Sequence, residues 1–338
     1  MPATIKEVAK GAGVSIATVS RVLNESDLVH DETKKLVKKV AHELRYTPNI
    51  AARSLSRSKT ETIGILLPDL YGEFFSEVIR GMDVTARRQN YHLIISSSHN
   101  SKTEIEAALR VMSGRVDGLI IMSPHIDAAT LNSNLPGALP LVLLNCYVDG
   151  GDFDAINIDN YHGAHDVVKH LASHGHKRIA IITGTEKNID AQERLRGYRA
   201  ALKDSGAEYS KSYEVVGDFT EASAYKAAIQ ILRLQPRPTA IFASNDTMAI
   251  GALSALRTHN VSVPDEIALA GFDDIPIANY IKPSLTTVRV RISELGIRAV
   301  ERLLDAVCKK KEHIKRQMVF ETEVVIRESC GCSVVHSD

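Results

Sequence analysis

No stretch of this chain approaches the roughly 20 apolar residues that a membrane-crossing helix needs, and its first residues are charged, without the apolar core of an export signal. It is therefore expected to be neither exported nor embedded, and to stay in the cytoplasm. Cysteine is scarce too: four in 338 residues make no disulfide framework, which fits a reducing compartment. The catalytic signatures GxSxG, HExxH and GxxxxGK(S/T) are absent. Gly11-Ala-Gly13 does not replace a phosphate loop, because it sits between two helical segments instead of after a strand. His174-Gly-His176 reads as the end of a helix, with Gly175 as its cap. Cys330-Gly-Cys332 with His336 lacks the second ligand pair that zinc spacing shows, so no metal and no cofactor is expected. An enzyme is not expected either.

What is present starts at residue 4. Thr4 and Glu7 form a capping box that opens a helix, and Ile5, Val8 and Ala9 fall on one face of it. Ala12-Gly13 allows a sharp turn, and Ser15 caps a second helix running to about Asn24, with Val19 and Leu23 pointing inward. Ile16, Ala17, Ser20 and Arg21 then face outward at its start, where a recognition helix presents side chains to base edges. Arg21 suits a bidentate guanine contact, and Ile16 and Ala17 suit a thymine methyl. A plain helical hairpin is the competing reading.

Charge favours the nucleic-acid reading. The first 60 residues hold 11 Lys and Arg against 6 Asp and Glu, while the whole chain balances at 41 each. A basic head thus precedes an acidic body, as expected when only one end meets phosphate. Lys34, Lys35, Lys38 and Lys39 lie on a third helix begun near Asp31 or Glu32, as phosphate contacts or as a solvated face. Pro48 opens a short hinge helix, and a Ser/Thr-rich linker follows. Leu55 protrudes from that helix, either to wedge a minor-groove step or to pack on the neighbouring domain.

From Thr62 onward, short apolar runs alternate with helical segments: Ile63–Leu67, Leu93–Ile95, Leu119–Met122, Leu141–Leu144, Ile179–Ile182, Ala240–Ala243 and Ile267–Gly271. Apolar runs without alternation need cover on both faces, which parallel strands with crossover helices provide. The fold class expected is α/β: a three-helix head with a hinge helix, then two doubly wound lobes with a cleft between them. Asn145, Asn245 and Asp273 follow strand ends, where open α/β sheets place ligands. Arg194 stands in the first turns of a helix preceded by Asn188-Ile-Asp190. Asp246 is read as the cap of a helix starting at Thr247. A carboxylate, amides and an arginine in one cleft suit vicinal hydroxyls.

The head, the hinge with Ala52-Arg53-Ser54-Leu55 and the two-lobed body together resemble the LacI/GalR family of bacterial transcription regulators over essentially the full length. The resemblance implies a homodimer on a pseudo-palindromic double-stranded operator, with DNA contacts at Ile16, Ala17, Ser20, Arg21, Asn24 and Leu55. It implies a body related to periplasmic sugar-binding proteins, whose chain crosses repeatedly between lobes. The domains expected are 1–47 (head), 48–60 (hinge and linker) and 61–338 (body). The amino lobe is placed at about 61–160 and 290–317, the carboxy lobe at about 161–289 and 318–338. By resemblance, ligand roles fall on Phe74, Phe75, Asn145, Asn188, Asp190, Arg194, Phe219, Asn245 and Asp273, the phenylalanines serving as apolar walls or simply as core. Two departures stand out: Asn145 sits where an aspartate is frequent in the family, and Asn188 to Asp190 do not match its purine-binding branch. The effector is expected to be a neutral mono- or oligosaccharide, with an acidic sugar or sugar phosphate left open. Lobe closure and hinge ordering would be coupled, with the sign unreadable from sequence. A sugar-binding protein or a sugar-converting enzyme without specific DNA recognition is the alternative. No leucine heptad is visible after residue 320, which favours a dimer over a tetramer.

Overall fold

A computed structural model describes residues 3–23, 28–46, 59–99, 101–124, 126–135, 137, 139–148, 153–309 and 313–332. The expected hinge segment 48–55 with its Leu55, together with Asn24 and His336, lies outside the described residues. The chain divides into two compact units between Thr60 and Glu61.

In the first unit the capping box at Thr4 is complete: the Thr4 hydroxyl accepts the Glu7 N–H, and the Glu7 carboxylate accepts the Thr4 N–H at 2.7 Å. It opens α1 (Ile5–Ala12), which ends at Gly13 in the left-handed region, φ 63°. Ser15 Oγ accepts the Thr18 N–H at 3.1 Å and starts α2 (Ile16–Leu23). With α3 (Asp31–Glu43), these helices close over Val8, Val19, Val22, Val37 and Val40. The inward stripe of α2 is Val19 and Val22, with Leu23 only half-buried. Positions three and four residues on from Val19 flank the same face, so Val22 is buried and Leu23 packs at the edge of the same cluster.

The body holds two parallel sheets. The first is built from β1 (Thr62–Leu67), β2 (His92–Ser97), β3 (Gly118–Ile121), β4 (Leu141–Leu144), β5 (Asp154–Ile158) and the late strand β11 (Gln317–Phe320), in the order β11-β5-β4-β3-β1-β2. Its helices are α4 (Glu73–Arg88), α5 (Lys102–Met112), α6 (Ala128–Asn134) and α11 (Ile292–Lys309). The second sheet, β7-β6-β8-β9, uses β6 (Ile179–Thr183), β7 (Glu214–Val216), β8 (Ala240–Ala243) and β9 (Ala268–Ala270). Around it lie α7 (Asn160–Ser173), α8 (Ile189–Ser205), α9 (Glu221–Leu232) and α10 (Asp246–Thr258). A short antiparallel pair, β10 (Thr287–Arg289) and β12 (Glu323–Val325), joins two of the segments that run between the lobes.

The chain crosses between lobes three times: after β5, between β10 and α11, and between β11 and β12. The last crossing corrects the expected boundary at 317/318. All of β11 pairs in parallel with β5, from Gln317 opposite Ala155 to Phe320 opposite Ile158, so the chain leaves the amino lobe only after Phe320. Neither strand reads as an apolar run, because β5 carries Asp154 and Asn157 and β11 begins with Gln317. Asp154 is buried for a reason: it accepts the Arg302 Nε–H at 2.8 Å and the Arg316 N–H at 3.0 Å, and meets His313, tying β5 to α11 and to the approach to β11.

Candidate functional site

Between the strand ends of the two lobes lies a cavity of about 210 Å³. All nine residues assigned ligand roles by resemblance line it: Phe74, Phe75 and Asn145 from the amino lobe, and Asn188, Asp190, Arg194, Phe219, Asn245 and Asp273 from the carboxy lobe. Two lobes and six separate segments, most of them following strand ends, bring them together.

Much of the wall is wired to itself before any ligand arrives. Asn145, in the left-handed region at φ 51°, donates from Nδ2 to Asp190 at 2.6 Å and accepts the Ile158 N–H at 3.2 Å. Arg194 is 4% exposed. Its guanidinium lies over the Phe272 ring, 3.8 Å from the centroid, and donates to Asn160 Oδ1 at 2.8 Å, to the Ser244 carbonyl, and to Asp273 at 3.5 Å. Asn160 is the residue that sequence reading missed. It donates to Asp190 at 2.8 Å while accepting from Arg194, and so links a carboxylate to a guanidinium that do not bond each other directly. Its reach depends on α7 and α8 lying unusually close, which Gly197 permits: a Cβ there would stand 2.3 Å from the Tyr161 carbonyl. Asn160 is the first residue of a helix right after a crossing, capped by Asp159; the sequence marks that boundary but not that the Asn160 side chain turns to Asp190 and Arg194.

Among the described residues, four carboxylates and one cation, Arg194, line the cavity: Asp69 and Asp218 are exposed, and Asp190 and Asp273 lie deeper. Enclosure by protein pushes the Asp190 carboxyl up to about 6, against the pull of Arg194, Asn145 and Asn160. Burial likewise pushes Asp273 up to about 7, opposed by Arg194. Asp246 is also buried and raised, first by desolvation and then by the charge of Asp273. It does not cap α10, as the sequence suggested. Asn245 does, accepting the Met248 N–H at 2.8 Å, while its amide donates to the Phe219 carbonyl at 3.3 Å. Asp246 instead accepts the Ile275 N–H at 2.9 Å and the Thr287 hydroxyl, so it fixes the loop that carries Asp273. Asn188 is a cap as well, holding the Ala191 N–H at 3.0 Å. Apolar surface comes from Phe74 and Phe75, packed edge to face at 5.4 Å, and from Phe219, with Met122 as a wall the sequence did not single out.

Within the head, α2 presents Ile16, Ala17 and Arg21 to solvent, with Ser20 half-buried beside them. Lys35 and Lys38 are exposed on α3, while Lys34 and Lys39 sit 3.7 and 3.9 Å from Asp31 and Glu43.

Comparison with known proteins places this geometry. Residues 4–49 match the model of bacterial regulatory proteins of the lacI family, and residues 168–330 match a periplasmic binding protein-like domain. The HTH-type transcriptional repressor PurR of Aliivibrio fischeri is 36% identical over 331 residues, which cover 97% of this chain and 98% of the relative. The chain belongs to the LacI family. It is a DNA-binding transcriptional repressor and not an enzyme. Among solved LacI-family structures, the lac repressor dimer bound to operator and the anti-inducer ONPF matches with a TM-score of 0.87 at 27% identity, over 98% of this chain and 99% of that one. A transcriptional regulator CelR in complex with cellobiose matches with a TM-score of 0.73 at 30% identity, over 97% and 99%. Among the described residues, no helix is long and apolar enough to cross a membrane.

Proposed function

We propose that this LacI-family repressor binds a pseudo-palindromic operator as a homodimer in the cytoplasm, and that a neutral, sugar-like polyol in the interlobe cavity sets its affinity for that operator. Ile16, Ala17, Ser20 and Arg21 would read the major groove, joined by Asn24 and by Leu55 as a minor-groove wedge. Residues 1–47 would form the head, 48–60 the hinge and 61–338 the receptor.

The observation that carries the effector half is the state of Arg194. Its three nitrogens are each engaged by the protein, and four carboxylates, Asp69, Asp190, Asp218 and Asp273, line the same cavity, so an anionic ligand meets more negative than positive charge. Hydroxyls suit the site better. Asp190 and Asp273 accept O–H donors, the guanidinium has N–H groups left to donate, and the phenylalanines cover the C–H faces of a ring. A cavity of about 210 Å³ is smaller than the usual drug-sized pocket of roughly 300–1,000 Å³, which favours a monosaccharide. The cellobiose in the CelR complex supports a carbohydrate class for this family.

The test is a thermal-shift and calorimetric screen of the purified repressor against neutral monosaccharides, disaccharides, sugar phosphates and nucleosides. A neutral sugar at about 100 times its Kd is expected to stabilise the protein by about 2.7 kcal/mol. Stabilisation by phosphorylated sugars alone, or by nucleosides alone, would contradict the reading.

A further inference from the structure

Far from the effector cavity, the fold assembles a group of donors that the sequence leaves scattered. Cys330 closes a short 3-10 turn (Glu328–Cys330), and Gly331, at φ 78°, turns the chain so that Cys332 points back toward it. His170, on the last turn of α7 and some 160 residues earlier, completes the group. Its Nε2 lies 3.5 Å from Cys330 Sγ and 3.4 Å from Cys332 Sγ, and the three donor atoms all fall within 4.8 Å of one another. Cys330 is buried, whereas His170 and Cys332 are half-buried, so solvent reaches one side of the cluster.

We propose that His170, Cys330 and Cys332 form a zinc site that pins the segment after the third crossing to α7. The donor types are those that thiophilic, imidazole-binding divalent ions select. The spacing, which in the metal-free chain is that of imidazole–thiol hydrogen bonds, is also compatible with a shared ion. With Zn–S near 2.3 Å and Zn–N near 2.05 Å, a tetrahedral ion separates its nitrogen and sulfur ligands by about 3.55 Å, and a trigonal one by about 3.8 Å. The two separations of 3.4 and 3.5 Å lie close to the tetrahedral value, so the ligands need move little to take up an ion. Three protein ligands leave the fourth position to a water on the open side. No second Cys pair is needed, because the third ligand comes from a helix instead of from a neighbouring knuckle. The consequence is mechanical: β12 and residues 326–332 follow the last interlobe crossing, and α7 starts at Asn160, inside the effector network. A zinc ion would clamp the end of that crossing segment to the far end of the helix that carries Asn160.

The experiment uses the full-length chain, reduced and stripped of metal, titrated with Co²⁺ as a spectroscopic probe and then with Zn²⁺ as competitor. One equivalent of Co²⁺ is expected to give tetrahedral d–d absorption and a thiolate charge-transfer band, both displaced by Zn²⁺. Cys332→Ser and His170→Ala should weaken Co²⁺ binding at least tenfold, and Cys308→Ser, which alters an exposed thiol elsewhere, should leave it unchanged. Thiol alkylation of the unmutated chain gives a readout that no variant's folding affects. Zn²⁺ should slow alkylation of Cys332, and EDTA should restore it. Absence of the charge-transfer band, octahedral spectra indifferent to the Cys332 substitution, or alkylation rates equal with and without Zn²⁺ would each overturn the proposal.

Discussion

Arg194 shows how a single side chain decides the chemistry of the cavity. A guanidinium carries five N–H groups in a fixed fork, and Asn160, the Ser244 carbonyl and Asp273 each take one from a different nitrogen. Lysine keeps the charge but not the fork, so Arg194→Lys leaves buried acceptors unmatched. It should destabilise the body by about 1–3 kcal/mol and weaken effector binding by at least about tenfold, checked by chemical denaturation and calorimetry. The carboxyls opposite predict a pH dependence. Burial raises Asp190 to about 6 and Asp273 to about 7, both above the ordinary value of 3.8. The folded body therefore holds extra protons between about pH 4 and 7, and the associated stability is lost as pH rises through those two values. Effector-free protein should lose melting temperature between pH 5 and pH 8, and Asp273→Asn should lose less. Affinity for a polyol should move the other way, rising as the carboxylates ionise and accept hydroxyl protons. A flat calorimetric profile across that range would count against both assignments. These roles were legible in part. Asp190, Arg194 and Asp273 stood out by position, but the split of labour between Asn245 and Asp246 did not. Adjacent polar residues at a helix start differ only in which way the strand end turns them.

At the scale of elements, the head was legible because its signals are local: a capping box, a turn glycine and a second cap lie within 15 residues. The body's central strands were legible for the same reason, each being a continuous apolar run. Strands β5 and β11 were not, since Asp154 and Asn157 are buried polar groups whose partners lie far along the chain. The loop carrying Phe219 belongs to the same class. Its φ of 70° is unusual for a bulky residue, and it is held there while Asn245 donates to its carbonyl. Its ring fills the space in front of Gly184, where an added Cβ would come within 2.2 Å of it. Gly184→Ala should therefore displace the ring and lower effector affinity by about tenfold, or about 1.4 kcal/mol. Overpacking should cost at most about 1–3 kcal/mol in stability. Calorimetry beside a melting curve separates the two effects; an unchanged affinity would show that Phe219 does not wall the ligand.

On the scale of the body, the effector cavity is bonded directly to the crossings about which the lobes would move. Asn145 accepts the Ile158 N–H at the first crossing, and Asn160 starts the helix just beyond it. Asp273 donates its N–H to Val288 at 2.8 Å and accepts the Val290 N–H at 3.2 Å, pairing with the second crossing. Asp274, next to it, holds Arg289 and Arg327 at 2.6 Å each, so the second crossing and the stretch following the third share one carboxylate. A ligand that engages Asp190 and Asp273 would touch residues bonded to the backbone that joins the lobes, and the proposed coupling requires those contacts to differ between two states.

The most direct measurement is the affinity of the full-length repressor for its operator duplex, read by fluorescence anisotropy at fixed salt, with and without a saturating neutral sugar identified by the screen. A shift of about five- to 150-fold, corresponding to a coupling of about 1–3 kcal/mol, is predicted, and Arg194→Lys should need at least about tenfold more sugar to reach half of its own shift. Equal operator affinity with the cavity filled and empty would contradict the account.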